Sequence, residues 1–174
     1  MTRQSWKSPS VRPDLCFAVR SLHERSIGGN AQVDCNPGAN VICVDTNIIC
    51  YRYMASPHSA AADAAWAKDP DWIVPILWRS EFRNALAGSI RQRSLTVEEA
   101  SAIANLAEAM LNRKEFTVST SVVLQLVSRS KCSAYDCEFV ALAHANGVRL
   151  LTVDRQILHE FPEVAISLKR FVQD

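Results

Sequence analysis

Short apolar runs separated by helix-forming stretches are the feature that most narrows the fold of this 174-residue chain. Residues 41–44 (VICV), 72–74 (WIV), 116–118 (FTV), 148–153 (VRLLTV) and 164–167 (VAIS) are too short to bury a helix face and read as strands. Helices are expected between them, over 48–54, 59–68, 76–93, from Thr96 to about 112, from Thr120 or Ser121 to about 130, over 134–145 and over 155–161. Two starts and one stop are written locally. Thr96-Val97-Glu98-Glu99 is a capping box, Ser133 is a good N-cap, and Asn146-Gly147 is a C-cap signal. Strands that alternate with helices form a parallel sheet, and nearly continuous apolar strands need both sheet faces covered. The expected fold class is therefore α/β, a three-layer α/β/α sandwich around a central parallel sheet.

Residues 1–40 read differently. They mix Ser, Pro, Arg, Asn and Gly without periodicity, and Gly28-Gly29-Asn30 and Pro37-Gly38 break the chain. They are expected to be a weakly ordered, solvated extension of net charge +2, from five basic and three acidic residues. Residues 41–174 are expected to form one folded domain. A hydrophobic share of 48% supports a packed core, and a net charge of +1 means that nucleic-acid binding must be argued from local chemistry, not from bulk charge. No apolar run reaches the roughly 18 residues of a membrane span, and the stretch around 15–19 is short for a signal-peptide core, so a cytoplasmic protein is expected. The six cysteines form no C-x-x-C pair and read as small buried thiols rather than a zinc site.

Four acids stand where an α/β sheet concentrates its chemistry, at the carboxyl ends of strands. Asp45 directly follows the first strand and Asp154 the fourth. Asp136 lies three residues after Ser133 in an otherwise apolar helix, either as a capping partner or as a ligand. Glu138, two residues on, is expected to face solvent. Glu81 lies in ILWRSEFRNALAG, on a stripe with Asn84, Ala85 and Gly88 whose small side chains would let the helix approach the sheet closely. A buried carboxylate needs a cation, which Arg79, Arg83 or a metal could supply. Four carboxylates around one sheet edge repel one another unless a hard divalent cation offsets them, and oxygen-only ligands select Mg²⁺ or Mn²⁺. Such an ion acidifies a water for attack on a phosphodiester and stabilises the charge that develops there.

The blocks that carry these acids, VDTNII, RSEFRNAL, SAYDCEFVALA and LLTVDRQIL, resemble in content and order the signature blocks of PIN-domain nucleases, most closely the VapC-like toxins of toxin–antitoxin pairs. The resemblance spans about residues 41 to 170. It implies a PIN-like nuclease domain with Mg²⁺- or Mn²⁺-dependent endoribonuclease activity, an RNA substrate, a small antitoxin partner and a homodimer. It also assigns Asp45, Glu81, Asp136 and Asp154 as catalytic and metal-binding, with Thr46, Asn47 and Thr152 supporting them. Arg52, Arg79 and Arg83 are the leading candidates to grip RNA phosphates, followed by Arg91 and Arg93. Trp66, Trp72 and Trp78 are expected in the core or a dimer interface, and Tyr51, Tyr53 and Met54 could form part of a partner surface.

Other readings fit less well. Receiver domains and haloacid-dehalogenase-like phosphatases also place Asp after the first strand, but Asn47 stands where a second Asp belongs and no well-placed Lys follows a late strand. Five glycines without G-x-G-x-x-G or G-x-x-x-x-G-K leave no dinucleotide or P-loop site. A housekeeping PIN-type nuclease and a non-catalytic binding module on the same fold are the remaining alternatives.

Overall fold

A computed structural model describes Arg12 and residues 41–174 of the chain. The expected weakly ordered extension over residues 1–40 lies, apart from Arg12, outside the described residues. The first strand, β1 (Val41–Val44), lies at the centre of a five-stranded parallel sheet. It pairs on one side with β2 (Asp71–Pro75) and on the other with β4 (Leu150–Thr152), while β3 (Glu115–Phe116) and β5 (Ala165–Ser167) form the edges, giving the order β3-β2-β1-β4-β5. Successive strand residues point to opposite faces. Since Ile42, Cys43 and Val44 are all buried, both faces of the sheet are covered.

The helices that cover it are α1 (Thr46–Tyr53), α2 (Ser59–Lys68), α3 (Trp78–Arg91), α4 (Val97–Met110), α5 (Thr120–Ser128), α6 (Ala134–Asn146), α7 (Arg155–Glu160) and α8 (Leu168–Gln173). The capping boxes at Thr96 and Ser133 both form, and Gly147 ends α6 in the left-handed region at φ 65°. α6 packs across β1, β2 and β4, burying Cys137, Phe139, Val140, Ala141, Leu142 and Ala143, and the Cys43 thiol donates to the Phe139 carbonyl at 3.6 Å. The four described cysteines are buried free thiols. Among the described residues no helix is long and apolar enough to cross a membrane.

Several boundaries differ from the sequence expectation, each for a local reason. α3 begins at Trp78 instead of residue 76, because the Ile76 N–H donates to Phe116 and prolongs the sheet ladder. β4 begins at Leu150, because the Val148 N–H is spent on the Ala143 carbonyl at the end of α6. α8 was not anticipated. Its six residues are too few to show periodicity, but Ser167 caps it, Leu168 buries, and the Lys68 ammonium lies 5.0 Å from the Phe171 ring. The small-residue stripe on α3 does not face the sheet. Trp78, Phe82, Leu86 and Ser89 form its buried side, Asn84 is exposed, and a Cβ on Gly88 would meet nothing within 4 Å. Trp72 and Trp78 belong to the core, with Trp66 edge-on to Trp72 at 5.1 Å. Tyr51, Tyr53 and Met54 are buried too, which removes them from any partner surface.

Two substitutions separate core packing from backbone conformation. Leu151 is fully buried in β4, so Leu151→Ala should cost about 2–5 kcal/mol in urea denaturation. Gly147→Ala has room for its Cβ and should cost only the left-handed penalty, about 1 kcal/mol. Equal losses from the two would contradict this account.

Candidate active site

β1 and β4 are neighbours although β2 follows β1 in sequence, so the strand order reverses between them, and their carboxyl ends are where an open α/β sheet ordinarily forms its site. Asp45 leaves β1 at that point as the N-cap of α1, its own N–H bonded to the Leu151 carbonyl of β4 at 3.0 Å. Its carboxylate is nearly buried and is held from two sides. Thr152 donates its hydroxyl to Oδ2 at 2.5 Å, and Asn47 donates its amide N–H to the same oxygen at 2.7 Å. The Thr152 oxygen also accepts the Asp154 N–H at 2.9 Å, so one buried hydroxyl ties the first acid to the fourth. Asp154 then caps α7 through Oδ1, accepting from Gln156 at 2.7 Å and from Ile157 at 3.2 Å.

The residue after Asp45 reaches the second acid. Thr46 donates its hydroxyl to Glu81 Oε2 at 2.6 Å, which fixes the first turn of α3 against the start of α1. Asp136 comes from α6, which runs back toward β4 and therefore begins at the carboxyl edge. Its Oδ2 accepts the Ser133 N–H at 2.9 Å and the Ser133 hydroxyl at 2.8 Å, while no described residue donates to Oδ1. The capping partner and the candidate ligand are thus the same side chain, with one oxygen given to each role.

These acids share one electrostatic field. Burial first, and then the charges of Asp136 and Asp154, push Asp45 up from 3.8 to about 6 despite the hydrogen bonds from Thr152 and Asn47. Burial, followed by Asp45, Asp136 and Glu138, pushes Glu81 from 4.5 to about 7 against the Thr46 hydrogen bond. Glu138 corrects a sequence expectation. It is half-buried, not solvent-facing, because α6 is covered around most of its circumference, and its charge reaches Glu81. Only the apolar character of the whole helix, against which a two-residue step cannot mean solvent, could have signalled it.

Two of the three leading basic residues expected beside these acids are occupied elsewhere. Arg79 holds Glu115 with Nε at 2.6 Å and Nη2 at 2.9 Å, and Glu108 with Nη1 at 2.6 Å. Arg52 pairs with Asp63 at 2.8 Å, and Arg12 pairs with that same carboxylate. Neither Arg52 nor Arg79 presents a free guanidinium to a substrate. Arg83 remains the most open of the three, touching Glu108 only at 3.3 Å. No Lys, Arg or His among the described residues forms an ion pair with Asp45 or Glu81.

The donor set fits a hard divalent cation. It is all oxygen, and Asn47 Oδ1 is a buried acceptor without a donor, because the amide N–H faces the acceptor-only Asp45 carboxylate. Among the described residues no three His, Cys, Asp or Glu side chains stand close enough to grip one ion. Mg²⁺ is ordinarily held by one or two carboxylates with water completing its shell, which this arrangement can provide.

Residues 42–165 match the family described as the PIN domain, and the chain belongs to that family, whose members are generally nucleases. Two solved structures share its fold. One is PAE2754 from Pyrobaculum aerophilum, with TM-score 0.60 and 20% identity over 78% of this chain and 96% of that one. The other is FitAcB from Neisseria gonorrhoeae, with TM-score 0.60 and 15% identity over 74% of this chain and 98% of that one. No curated protein is significantly similar to the chain.

The raised acids make the metal-free protein sensitive to pH in a defined direction. A carboxyl that binds its proton more tightly when folded contributes stability that is complete below its ordinary value and is lost as pH rises through its folded value. The two contributions should therefore be present in full below 3.8 and 4.5, and be lost as pH passes about 6 for Asp45 and about 7 for Glu81. In chelator, chemical denaturation from pH 4 to 8 should show this fall, and Glu81→Gln should remove its upper part. Identical profiles for the two proteins would contradict the assignment.

Proposed function

We propose that residues 41–174 form a VapC-type, metal-dependent endoribonuclease, the toxin of a toxin–antitoxin pair, acting on cytoplasmic RNA. One observation carries the catalytic reading. Asp45 and Glu81 are withdrawn from water at the strand switch point, lie in the field of two further acids, and have no cation among the described residues to offset them. Family membership supports a nuclease, and the all-oxygen donor set supports Mg²⁺ or Mn²⁺.

In this reading Asp45 and Asp136 are the leading ligands, Asp136 through Oδ1 and Asp45 through Oδ1, which accepts only the long 3.4 Å bond from the Asn47 backbone N–H, with Glu81 and Asp154 completing the negative wall. A divalent cation bound there would supply charge compensation and a water acidified for attack at phosphorus. Thr152 and Asn47 hold the Asp45 carboxylate at one orientation, and Thr46 does the same for Glu81, so these side chains do not have to be ordered when substrate arrives. Asn47 Oδ1 offers a further acceptor beside Asp45. A small antitoxin and a second copy of the chain are the proposed protein partners. The exposed Val122 and Leu124 on α5 are apolar side chains that the second copy would cover.

Asp45→Asn or Asp136→Asn should lower Mn²⁺-dependent RNA cleavage by about 100-fold or more with the native fold retained by circular dichroism. Thr152→Val, which touches no substrate, should lower it by about 10- to 100-fold. Wild-type rates in either Asp variant would remove that residue from the mechanism. Expression of the wild type alone should arrest growth. Cleavage in vitro without arrest would favour a housekeeping nuclease, and absence of both would favour a binding module.

A further inference from the structure

Of the basic residues first expected to hold RNA, Arg52 and Arg79 are engaged by carboxylates of the chain, while Arg83, Arg91 and Arg93 are exposed on or just after α3. The opposite lip of the acidic centre is different. Lys131 lies two residues before Ser133, the N-cap of α6, and Arg155 opens α7 directly after Asp154. The two segments are stapled side by side, since the Gln156 amide donates to the Lys131 carbonyl. Both cations are exposed, and no described residue forms an ion pair or hydrogen bond with either side-chain head. Arg129, at the end of α5, adds a third exposed charge near enough to act on Cys137.

Tyr135 stands on this same lip. It occupies the first turn of α6, adjoins Asp136, and is 59% exposed, with no ring or hydrogen-bond contact to any described residue. A scattered exposed apolar side chain needs no explanation. An unengaged aromatic ring next to a catalytic acid, flanked by two unengaged cations, combines the two elements by which proteins hold a single strand: a ring for a base and positive charge for the backbone. The charge balance points the same way. The scissile phosphate can be offset by a cation in the pocket, but phosphates on either side of it still face four carboxylates unless fixed positive groups lie along the strand's path.

We propose that Tyr135, Lys131 and Arg155 form the substrate-strand contact of this site: Tyr135 stacks on the base beside the cleaved bond, and Lys131 and Arg155 hold flanking phosphates. Only an unpaired base offers its face to such a ring, so the substrate is a single-stranded segment or a loop, not a continuous helix. The proposal rests on the nuclease reading above but concerns binding, so the two can be tested apart.

The experiment is a binding titration by anisotropy with a labelled single-stranded RNA of mixed sequence in Ca²⁺, the strand being checked on a gel for integrity, alongside cleavage in Mn²⁺. Tyr135→Ala should weaken binding about ten-fold and raise KM with kcat little changed, while Tyr135→Phe keeps wild-type values. Lys131→Ala with Arg155→Ala should flatten the dependence of log affinity on log salt by about 0.7 per cation removed. A wild type that cleaves, with Tyr135→Ala and the double variant both unchanged in affinity, KM and salt dependence, overturns the proposal and leaves the nuclease reading standing. A wild type that binds but does not cleave, with the variants weakened as stated, upholds this surface and overturns the nuclease reading. A wild type that neither binds nor cleaves overturns both.

Discussion

Negative charge without a compensating cation is the constraint around which this structure is arranged. Asp45 is nearly buried at the strand switch point, and Glu81 is half-buried beside it. A lone buried carboxylate is costly enough that proteins ordinarily pair it or protonate it. Here hydroxyl and amide donors surround the two acids, from Thr152, Asn47 and Thr46, and no arginine or lysine among the described residues does. Neutral donors orient a carboxylate without cancelling its charge. The charge of the site is therefore left without a cationic partner among the described residues, and the cost of burying it appears as a raised proton affinity.

The rest of the fold can be understood as holding that arrangement in place. The parallel pairing of β1 with β2 and β4 brings Asp45 and Asp154 to one edge, and the antiparallel return of α6 brings Asp136 there. The polar network on the far side of α3, in which Trp78 and Arg79 both donate to Glu115, anchors the helix that carries Glu81. Arg79 serves the scaffold, and turned toward Glu81 it would have offset the charge there.

Much of this was legible in the sequence because the local signals were strong. Strands buried on both faces read as unbroken apolar runs, and residues directly after them must lie at the carboxyl edge, which is why Asp45 and Asp154 stood out. Ser133 and Thr96 announced their helices through capping boxes that both form. What was not legible depended on tertiary partners. The stripe of Asn84, Ala85 and Gly88 suggested close approach to the sheet, but the larger Trp78, Phe82 and Leu86 took the buried side and left Glu81 on the flank. Arg52 and Arg79 looked free because Asp63, Glu108 and Glu115 are distant in sequence or on another element. Glu138 looked solvent-facing because a two-residue step on a helix usually changes face, and it does not reach solvent when the helix is covered nearly all round.

The central claim is that the pocket exchanges protons for a divalent cation, and calorimetry measures this directly. Mn²⁺ titrated at pH 6.5 into the wild type, in two buffers of different ionisation enthalpy, should give heats that differ between buffers, because an ion displaces protons from Asp45 and Glu81, whose values lie near 6 and 7. The buffer dependence should shrink in Glu81→Gln. Absence of binding, or heats that are the same in both buffers, would contradict the account.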